Sequence, residues 1–354
     1  MRAVHMRIKG RGALSNPAGR FARRERELDP GDEAERLPTE LHVDVSRTVI
    51  AHNRSPDVGF SQSLNPYKGC EHGCIYCYAR TTHSYLDLSP GRDFETQLYY
   101  KPHAARLLRA ELARPDYAVE PLAIGVNTDA YQPIERVLRV TRSVLELLLE
   151  LKHPLTLITK SALILRDLDL LEQLAAERLV AVMVSLTTLD DELKRRMEPR
   201  TAGPQQRLSV VKQLSTHRVP VGVMLAPIIP ALNDHEIERM AEAAAAHGAR
   251  SAGYVLLRLP HEVRSLFVEW LREHYPERAE HVLSLLRQMR GGRLNDPRFH
   301  SRQRGAGPFA DLLHARFERA RRANGLDDES LFELDTTSFR RPGVTHAQLD
   351  LWGR

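Results

Sequence analysis

The stretch GCEHGCIYCYAR at residues 69–80 contains every cysteine of this 354-residue chain, at Cys70, Cys74 and Cys77. A structural zinc site and an ordinary iron-sulfur cluster each take four protein ligands. Three thiolates without a fourth cysteine therefore leave one coordination position for another molecule. If the metal is a [4Fe-4S] cluster, one of its irons is free to bind a small molecule, and the protein can carry out one-electron chemistry on it.

A zinc site is the alternative reading of the same loop. His72 and His83 lie close to the cysteines in the sequence, so a Cys3His zinc knuckle is conceivable. A zinc site usually pairs two such knuckles across a longer gap, and the chain has no second cysteine pair. The spacing favours the cluster. A non-catalytic nucleic-acid-binding protein with a zinc-stabilised loop stays open as the second interpretation.

The C-x3-C-x2-C loop, with Tyr76 before its last cysteine, resembles the signature of the radical S-adenosylmethionine (SAM) enzymes. The longer segment NPYKGCEHGCIYCYARTTH at residues 65–83 resembles the branch that contains spore photoproduct lyase and the DNA repair photolyase-like proteins. This resemblance implies a [4Fe-4S] cluster held by the three cysteines, with SAM chelated at the free iron. It also implies a one-electron donor such as flavodoxin or ferredoxin, and reductive cleavage of SAM to a 5'-deoxyadenosyl radical that abstracts hydrogen from a substrate.

Short apolar runs alternate with amphipathic segments after the cysteine loop. Apolar, β-branched runs of this kind are typical of buried parallel strands, and apolar residues at three- and four-residue steps between them indicate helices. Six such strand-helix units in series predict an α/β fold with a parallel barrel. The resemblance implies a partial (β/α)6 barrel of TIM type. The predicted strands lie at residues 60–64, 122–126, 155–159, 179–186, 219–225 and 253–257.

The chain is predicted to have three regions. Residues 1–40 form a basic N-terminal arm, since they are rich in Arg, Gly and Pro and show little periodicity. Residues 41–260 form the barrel. Residues 261–354 form a helical C-terminal extension that covers the barrel mouth, with an Arg- and Gly-rich loop between its helices.

Polar residues follow the predicted strands at the end where the loops of a barrel face one cavity. SAM offers a carboxylate, an ammonium group and ribose hydroxyls, so its pocket needs a cation, an acceptor and hydroxyl groups. The resemblance implies that Lys160 binds the SAM carboxylate, that Thr128 and Asp129 lie beside the amine, and that Ser185 lies near the ribose. Without the resemblance, Lys160 equally suits a surface charge and Ser185 a core hydroxyl.

Further candidates for the SAM pocket come from the cysteine loop and from residues 197–234. Tyr76 and Tyr78 flank the last cysteine, where the resemblance implies contacts to adenine. The segment 197–234 is similar to the stretch that this branch carries between its fourth and fifth strands, and Pro227 and Pro230 are expected to follow the fifth strand. The charged candidates for polar contacts around SAM are Glu198, Arg200 and Arg207.

The net charge of +5 is mild but unevenly distributed. Basic residues cluster at residues 2–26 and again at 287–304. Clusters of this kind can contact phosphates. Together with the resemblance to the photolyase-like branch, they make DNA or another nucleic acid the leading candidate for the substrate. A solvated surface rich in arginine explains the same residues equally well. The second cluster consists of Arg287, Arg290, Arg293, Arg298, Arg302 and Arg304.

The chain departs from spore photoproduct lyase in one respect. That enzyme uses an additional cysteine to return a hydrogen atom to its product radical, and this sequence has no fourth cysteine. Its dimer-splitting mechanism therefore does not transfer intact. Tyr78, Tyr131 and Tyr254 are the candidates for a substitute donor. No second cysteine cluster is present to hold an auxiliary iron-sulfur centre.

The composition is that of a globular protein, with 42% hydrophobic residues. No apolar run approaches the ~20 residues of a membrane span, and the first residues lack the apolar stretch of a secretory signal. We therefore expect a cytoplasmic protein without a membrane partner, a compartment that suits reduced thiols and an oxygen-sensitive cluster.

Overall fold

The computed structural model describes residues 8–22 and 37–343, which form a seven-stranded and a three-stranded sheet. In the larger sheet the strands run in the order β10-β9-β8-β7-β6-β3-β2, and every neighbouring pair from β3 to β10 is parallel. This is the predicted partial barrel of six parallel strands. The strands are β1 (Glu40–Val43), β2 (Ile50–His52), β3 (Gln62–Leu64), β4 (Tyr67–Lys68), β5 (Gln97–Tyr100), β6 (Leu122–Ile124), β7 (Leu155–Thr159), β8 (Val180–Ser185), β9 (Val221–Ile228) and β10 (Ser251–Leu256).

Helices follow the parallel strands and continue into the C-terminal part of the chain. Pro204 and Pro276 each begin a helix, a position where the missing amide hydrogen is no loss. No helix within the described ranges is long and apolar enough to cross a membrane. The helices are α1 (Asp93–Thr96), α2 (Ala104–Leu112), α3 (Glu135–Leu138), α4 (Val140–Glu150), α5 (Leu168–Ala176), α6 (Asp191–Met197), α7 (Pro204–Thr216), α8 (Ile237–Ala246), α9 (Val263–His274), α10 (Pro276–Gln288), α11 (Ser301–Arg304) and α12 (Pro308–Ala323).

The six predicted barrel strands are confirmed, with one difference at the fifth. Pro227 lies inside β9 rather than after it. The pairing of β9 with β8 ends at Met224, opposite Ser185, so the missing amide hydrogen of Pro227 costs no bond to β8. Its carbonyl oxygen accepts a hydrogen bond of 3.0 Å from the Asn233 side chain.

The smaller sheet was not predicted from the sequence. It has the strand order β1-β5-β4 and lies beside the cysteine loop. Strand β1 is largely exposed and has no apolar run. Its partner β5 is parallel to it and 57 residues further along the chain, pairing Glu40 with Gln97. Neither strand has the continuous apolar pattern that marked the barrel strands.

Residues 8–22, called the N-terminal strap from here on, pack against the cysteine loop. The amides of Gly12 and Ala13 each donate a hydrogen bond of 2.9 Å to the buried Glu95 carboxylate. The same carboxylate accepts a bond of 2.5 Å from the buried Arg80 guanidinium. Arg11 donates to the Glu95 carbonyl oxygen at 2.6 Å. The strap is therefore part of the structure around the cysteines.

The strap also contacts the C-terminal part of the chain. Ser15 donates a hydrogen bond of 2.6 Å to Glu269 in α9, and Arg20 pairs with Glu262 at 2.9 Å. Both arginines of the strap, Arg11 and Arg20, are thus bound to protein groups. The assignment of residues 1–40 to a basic arm stays a prediction. Residues 1–7 and 23–36 of the predicted arm lie outside the described residues.

The two edges of the large sheet are connected by a polar contact, called the edge clasp here. Arg302 in α11 hydrogen-bonds with Asp57 and Ser55, which lie in the turn between β2 and β3. The His300 amide adds a bond of 2.6 Å to Asp57. On the other side, α11 contacts β10. The clasp thus links the β10 edge of the sheet to its β2 edge.

We expect Gly12→Ala to destabilise the fold by about 1–3 kcal/mol, as overpacked core sites do. A Cβ atom at Gly12 would lie 1.9 Å from the Gly73 carbonyl oxygen, a backbone atom that cannot rotate away. Urea unfolding measures the loss. Gly59→Ala is the matched control, since a Cβ there meets nothing within 4 Å. Equal stability of the two variants would contradict the packing described for the strap.

We expect His153 to make stability depend on pH. Its ring nitrogens lie 2.9 Å from the Pro154 carbonyl oxygen and 2.8 Å from the Tyr117 hydroxyl, and burial lowers the pKa of His153 from 6.5 to about 4. The unfolded chain takes up a proton near pH 6.5, whereas the folded state stays neutral until about pH 4. Stability from this group is therefore full above pH 6.5 and falls as the pH decreases towards 4.

The loss assigned to His153 amounts to about 2 kcal/mol between pH 7 and pH 5. Urea unfolding of the wild type and of His153→Asn at both pH values measures it, since the variant has no ionisable group at this position. The wild type should lose more stability than the variant by that amount. Parallel pH profiles of the two proteins would show that His153 is not held neutral.

Candidate metal and cofactor site

The cysteine loop follows β4 and leads into a 3-10 helix at Tyr78–Leu86. Its backbone is fixed by tight turns, with the Gly73 amide 3.3 Å from the Cys70 carbonyl oxygen and the Cys77 amide 3.2 Å from that of Cys74. Contacts to other elements add to these turns, because the Cys70 amide donates to the Phe94 carbonyl at 2.9 Å. Cys70 and Cys74 are buried and Cys77 is half-buried. The loop therefore presents its three thiols from a rigid backbone.

Gly73 is required by the shape of this loop. Its φ of +67° lies in the left-handed region, which side-chain-bearing residues rarely adopt. A Cβ at this position would also lie 2.8 Å from a carboxylate oxygen of Glu95. The glycine thus lets the loop pass directly over the buried carboxylate.

Arg80 holds the loop from below and is fully buried. Its guanidinium donates hydrogen bonds of 2.9 Å to the Cys74 carbonyl oxygen and 3.0 Å to that of Gly73. It also bonds with the Pro90 and Gly91 carbonyl oxygens, at 3.1 and 2.8 Å. Arg80 was not predicted from the sequence as a site residue. Its position as the third residue after the last cysteine was the only signal available.

The three thiols influence one another electrostatically. Burial is the main cause that raises the pKa of each thiol, and neighbouring thiolates raise the pKa of Cys70 and Cys74 further. Lys160 opposes this effect at Cys74 and Cys77. Thiolates that raise one another's pKa in this way are costly unless a positively charged group binds them, which is what a metal centre does. The donor set therefore fits an iron-sulfur cluster with three thiolate ligands.

The histidines considered for a zinc site are bound elsewhere. The Nδ1 atom of His72 lies 3.3 Å from the Asp129 carboxylate. The Nε2 atom of His83 lies 2.9 Å from the Gln97 carbonyl oxygen, and its ring packs edge-on against Phe94. Over residues 8–22 and 37–343, no three His, Cys, Asp or Glu side chains are grouped to hold a single metal ion. A Cys3His zinc site thus has no preformed ligand set in this part of the chain.

Asp129 connects the ends of β6 and β7. Its carboxylate accepts hydrogen bonds from the Thr159 hydroxyl at 2.7 Å and from the Lys160 and Tyr131 amides at 2.8 Å. Burial would raise the pKa of Asp129, but His72 and these hydrogen bonds lower it to about 2. The neighbouring Thr128 is buried and donates to the Tyr67 carbonyl oxygen at 2.7 Å. Both predicted residues therefore lie next to the cysteine loop.

Lys160 lies at the end of β7 and is half-buried. Its positive charge lowers the pKa of Cys74, Cys77 and Glu198. Among the residues that the structure describes, its ammonium group has no hydrogen-bond or ion-pair partner. A lysine beside the cysteines is thus available to a negatively charged group of a small molecule.

A buried ion pair lies behind Tyr76. Glu198 and Arg207 are both buried and paired, and the Tyr76 hydroxyl donates to the same carboxylate. Arg207 also donates to the Ser185 carbonyl oxygen at 3.1 Å and to the Thr201 hydroxyl at 2.6 Å. The pair therefore ties the predicted residues Tyr76 and Ser185 together at the end of β8.

The remaining charged candidate, Arg200, contacts the cysteine loop itself. Its guanidinium lies 3.1 Å from the Glu71 carboxylate, and its amide donates to the His72 carbonyl oxygen at 3.3 Å. Glu71 also accepts a hydrogen bond of 2.8 Å from Thr39. The structure thus places Glu198, Arg200 and Arg207 around the loop, where they support its side chains through ion pairs.

The three tyrosines considered as hydrogen-atom donors are in different places. Tyr78 belongs to the cysteine loop, is 47% exposed, and donates to the Val126 carbonyl oxygen after β6. Tyr131 is fully buried beneath the Arg166 guanidinium. Tyr254 packs against Phe317 of α12, with its hydroxyl 3.2 Å from His314. Of the three, Tyr78 is the one within the cysteine loop.

The sequence model of the radical SAM superfamily matches residues 64–244, slightly more than half of the chain. An uncharacterized protein of Mycobacterium tuberculosis is 37% identical over 243 residues, which cover 67% of this chain and 72% of the relative. An uncharacterized protein of Methanocaldococcus jannaschii is 26% identical over 178 residues, or 50% of this chain and 64% of that protein.

Solved structures of spore photoproduct lyase share the fold. One mutant of that lyase superposes with a TM-score of 0.54 at 13% identity, over 80% of this chain and 78% of the lyase chain. A second mutant gives a TM-score of 0.53 at 13% identity, over 84% and 86%. In other structures of the lyase the match spans 66% of its chain.

The family match covers the cysteine loop, the ends of β6 and β7 with Asp129 and Lys160, and the Glu198–Arg207 pair. Together with the parallel barrel, these findings show that the chain belongs to the radical SAM superfamily and is an enzyme, of a family whose cofactors are a [4Fe-4S] cluster and SAM.

Proposed function

We propose that this enzyme holds a [4Fe-4S] cluster through Cys70, Cys74 and Cys77 and reductively cleaves SAM to start radical chemistry on a substrate. The observation that carries the proposal is the set of three thiols, two buried and one half-buried, beside a lysine without a partner among the described residues. When bound and reduced, the cluster supplies the electron that splits the SAM sulfonium into methionine and a 5'-deoxyadenosyl radical. That radical takes a hydrogen atom from the substrate. We further propose a flavodoxin or a ferredoxin as the electron donor.

Lys160 is proposed to bind the SAM carboxylate. It lies at the carboxyl end of β7, and its charge acts on Cys74 and Cys77. An ammonium and a carboxylate form a charge-assisted hydrogen bond, which is stronger in a partly buried site than in water. The Lys160 amide is fixed on Asp129 at 2.8 Å, so the backbone that carries the lysine is well positioned.

The other predicted residues are proposed to contact other parts of the SAM molecule. Thr128 and Asp129 are proposed to lie beside the SAM amine and Ser185 near its ribose. Tyr76 and Tyr78 are proposed to contact the adenine. The buried Glu198–Arg207 pair keeps Tyr76 in place through its hydroxyl group, which supports a positioning role for that pair.

Nucleic acid is the proposed substrate class. Support comes from the arginine-rich segment 287–304 and from the shared fold with spore photoproduct lyase. A structure of that lyase contains a dinucleoside spore photoproduct, at a TM-score of 0.50 to this chain. The lyase mechanism itself is not proposed here, since the chain has no fourth cysteine. Tyr78, which lies in the cysteine loop, is the proposed hydrogen-atom donor.

The first test of the proposal is cluster content. Wild-type protein purified without oxygen should contain about four irons and four sulfides per chain, and Cys70→Ala, Cys74→Ala and Cys77→Ala together should remove them. With SAM and a strong reductant, the wild type should form 5'-deoxyadenosine and the triple variant should not. One zinc per chain and no 5'-deoxyadenosine from the wild type would refute the enzymatic proposal and favour the zinc-stabilised alternative.

The second test is SAM affinity without reductant. Lys160→Met should weaken SAM binding about tenfold or more, the usual cost of losing a hydrogen bond to a charged group, with unchanged iron content. Anaerobic titration calorimetry measures this. Lys212→Met is the matched control, because it removes the same charge from an exposed position of α7. Equal SAM affinity in both variants would exclude Lys160 as the carboxylate ligand.

A further inference from the structure

Arg258 lies two residues after the end of β10 and is a half-buried cation without a partner among the described residues. Its Nε atom is shielded from solvent and makes no hydrogen bond. Within residues 8–22 and 37–343 its guanidinium also has no ion pair. Burial is the main influence on the Arg258 pKa and lowers it. A shielded guanidinium nitrogen without a partner is unfavourable, because the loss of water is not offset by a hydrogen bond.

Two neighbouring arginines, Arg290 and Arg302, make hydrogen bonds with the protein itself. Arg290 is buried and donates to the Leu257 carbonyl oxygen at 2.7 Å and to that of Arg302 at 2.9 Å. Arg302 belongs to the edge clasp with Asp57 and Ser55. These bonds place the backbone next to Arg258 beside that of Arg302. Arg258, by contrast, has no hydrogen bond or ion pair to any described residue.

Arg258 lies at the same end of the barrel as the cysteine loop. Strand β10 is parallel to β9 and to the other barrel strands. Arg258 therefore lies at the same end of the sheet as Asp129 and Lys160, which follow β6 and β7. Besides burial, Arg302 lowers the pKa of Arg258, whereas Tyr78 and Asp57 raise it, so all three lie close to Arg258. Tyr78 belongs to the cysteine loop, and its hydroxyl reaches Val126 after β6.

The geometry points to Arg258 as the binding group for a phosphate of the substrate, next to Tyr78 at the barrel mouth. This inference rests on the proposed function and specifies its substrate as a molecule that carries a phosphate. A guanidinium offers paired donors that match two oxygens of a phosphate. Lys160, beside Cys74 and Cys77, is assigned to the SAM carboxylate, so the two cations have separate anions.

The surrounding charge favours phosphate over a neutral group. Residues 287–304 contain six arginines and one acidic residue, Asp296. Asp296 is paired with Arg298 at 2.8 Å, and Asp57 with Arg302. Arg258 therefore adds its charge to a region that is already positive. A positive region of this kind attracts polyanions and is screened by salt.

The test uses direct binding to the anaerobic protein that contains its cluster, without SAM or reductant. The probes are a fluorescent single-stranded hexathymidylate, its uncharged methylphosphonate analogue and thymidine monophosphate. Arg258→Gln should weaken hexathymidylate binding about tenfold or more and lower the slope of log K against log salt by about 0.7. Arg258→Lys should keep the salt slope and still bind less tightly, since a lysine lacks the paired donors.

The control variant is Arg218→Gln, which removes an exposed arginine from the turn before β9, at the opposite end of the parallel strands, and should bind within about twofold of wild type. Weakened binding of hexathymidylate identifies a phosphodiester as the ligand, and weakened binding of thymidine monophosphate alone identifies a free nucleotide. Either result supports the inference. It is overturned if Arg258→Gln binds both phosphate probes like wild type, if the uncharged analogue binds as tightly as hexathymidylate, or if the wild type binds no phosphate probe.

Iron content and thermal unfolding of each variant show whether the fold is intact. If Arg258→Gln does not fold, the comparison between Arg258→Lys and wild type decides the question. Because these measurements use neither SAM nor reductant, their outcome is independent of 5'-deoxyadenosine formation. Wild-type protein that binds phosphate through Arg258 but cleaves no SAM would refute the proposed function and leave the phosphate site in place.

Discussion

The buried ion pair between Arg80 and Glu95 is the contact on which the cysteine loop depends. Removing one member of such a pair leaves an uncompensated charge in the interior, at a cost of about 3–5 kcal/mol. Arg80 fixes the carbonyl oxygens of Gly73 and Cys74, while Glu95 binds the amides of Gly12 and Ala13. The backbone of the cysteine loop is thus positioned by charge-assisted hydrogen bonds before any cofactor binds.

A second buried pair, Glu198–Arg207, supports the loop from the barrel side. It binds Tyr76, the residue before the last cysteine, and the carbonyl oxygen of Ser185. One pair fixes backbone atoms of the loop, and the other fixes an aromatic side chain of the same loop. Preorganisation of this kind lowers the cost of binding a cofactor, because the protein groups need not be ordered at that moment.

The barrel and the cysteine loop were predictable from the sequence, while the buried contacts that support the loop were not. Strand β8 is buried at every position and β7 at alternate positions, and both are rich in apolar and β-branched residues, so their pattern alone identified them. Arg80, by contrast, looks like a solvated residue in sequence, and its burial depends on Glu95 and on the distant Gly12. The arginines of residues 287–304 indicated a phosphate-binding surface, yet Arg290 and Arg302 bind protein groups. The partners of these arginines are set by the folded structure, which sequence patterns do not reveal.

The edge clasp has a consequence for the wall of the barrel. Strands β2 and β10 are the two edges of the seven-stranded sheet, and the contact between their sides is made by Arg302 with Asp57 and Ser55. The circumference is therefore completed by a side-chain seam and not by a backbone ladder. Such a seam can part without breaking a strand-to-strand hydrogen bond, and its ion pair, with Asp57 buried, is screened less by salt than an exposed pair. Opening of the wall at this point would leave the pairing of all seven strands intact.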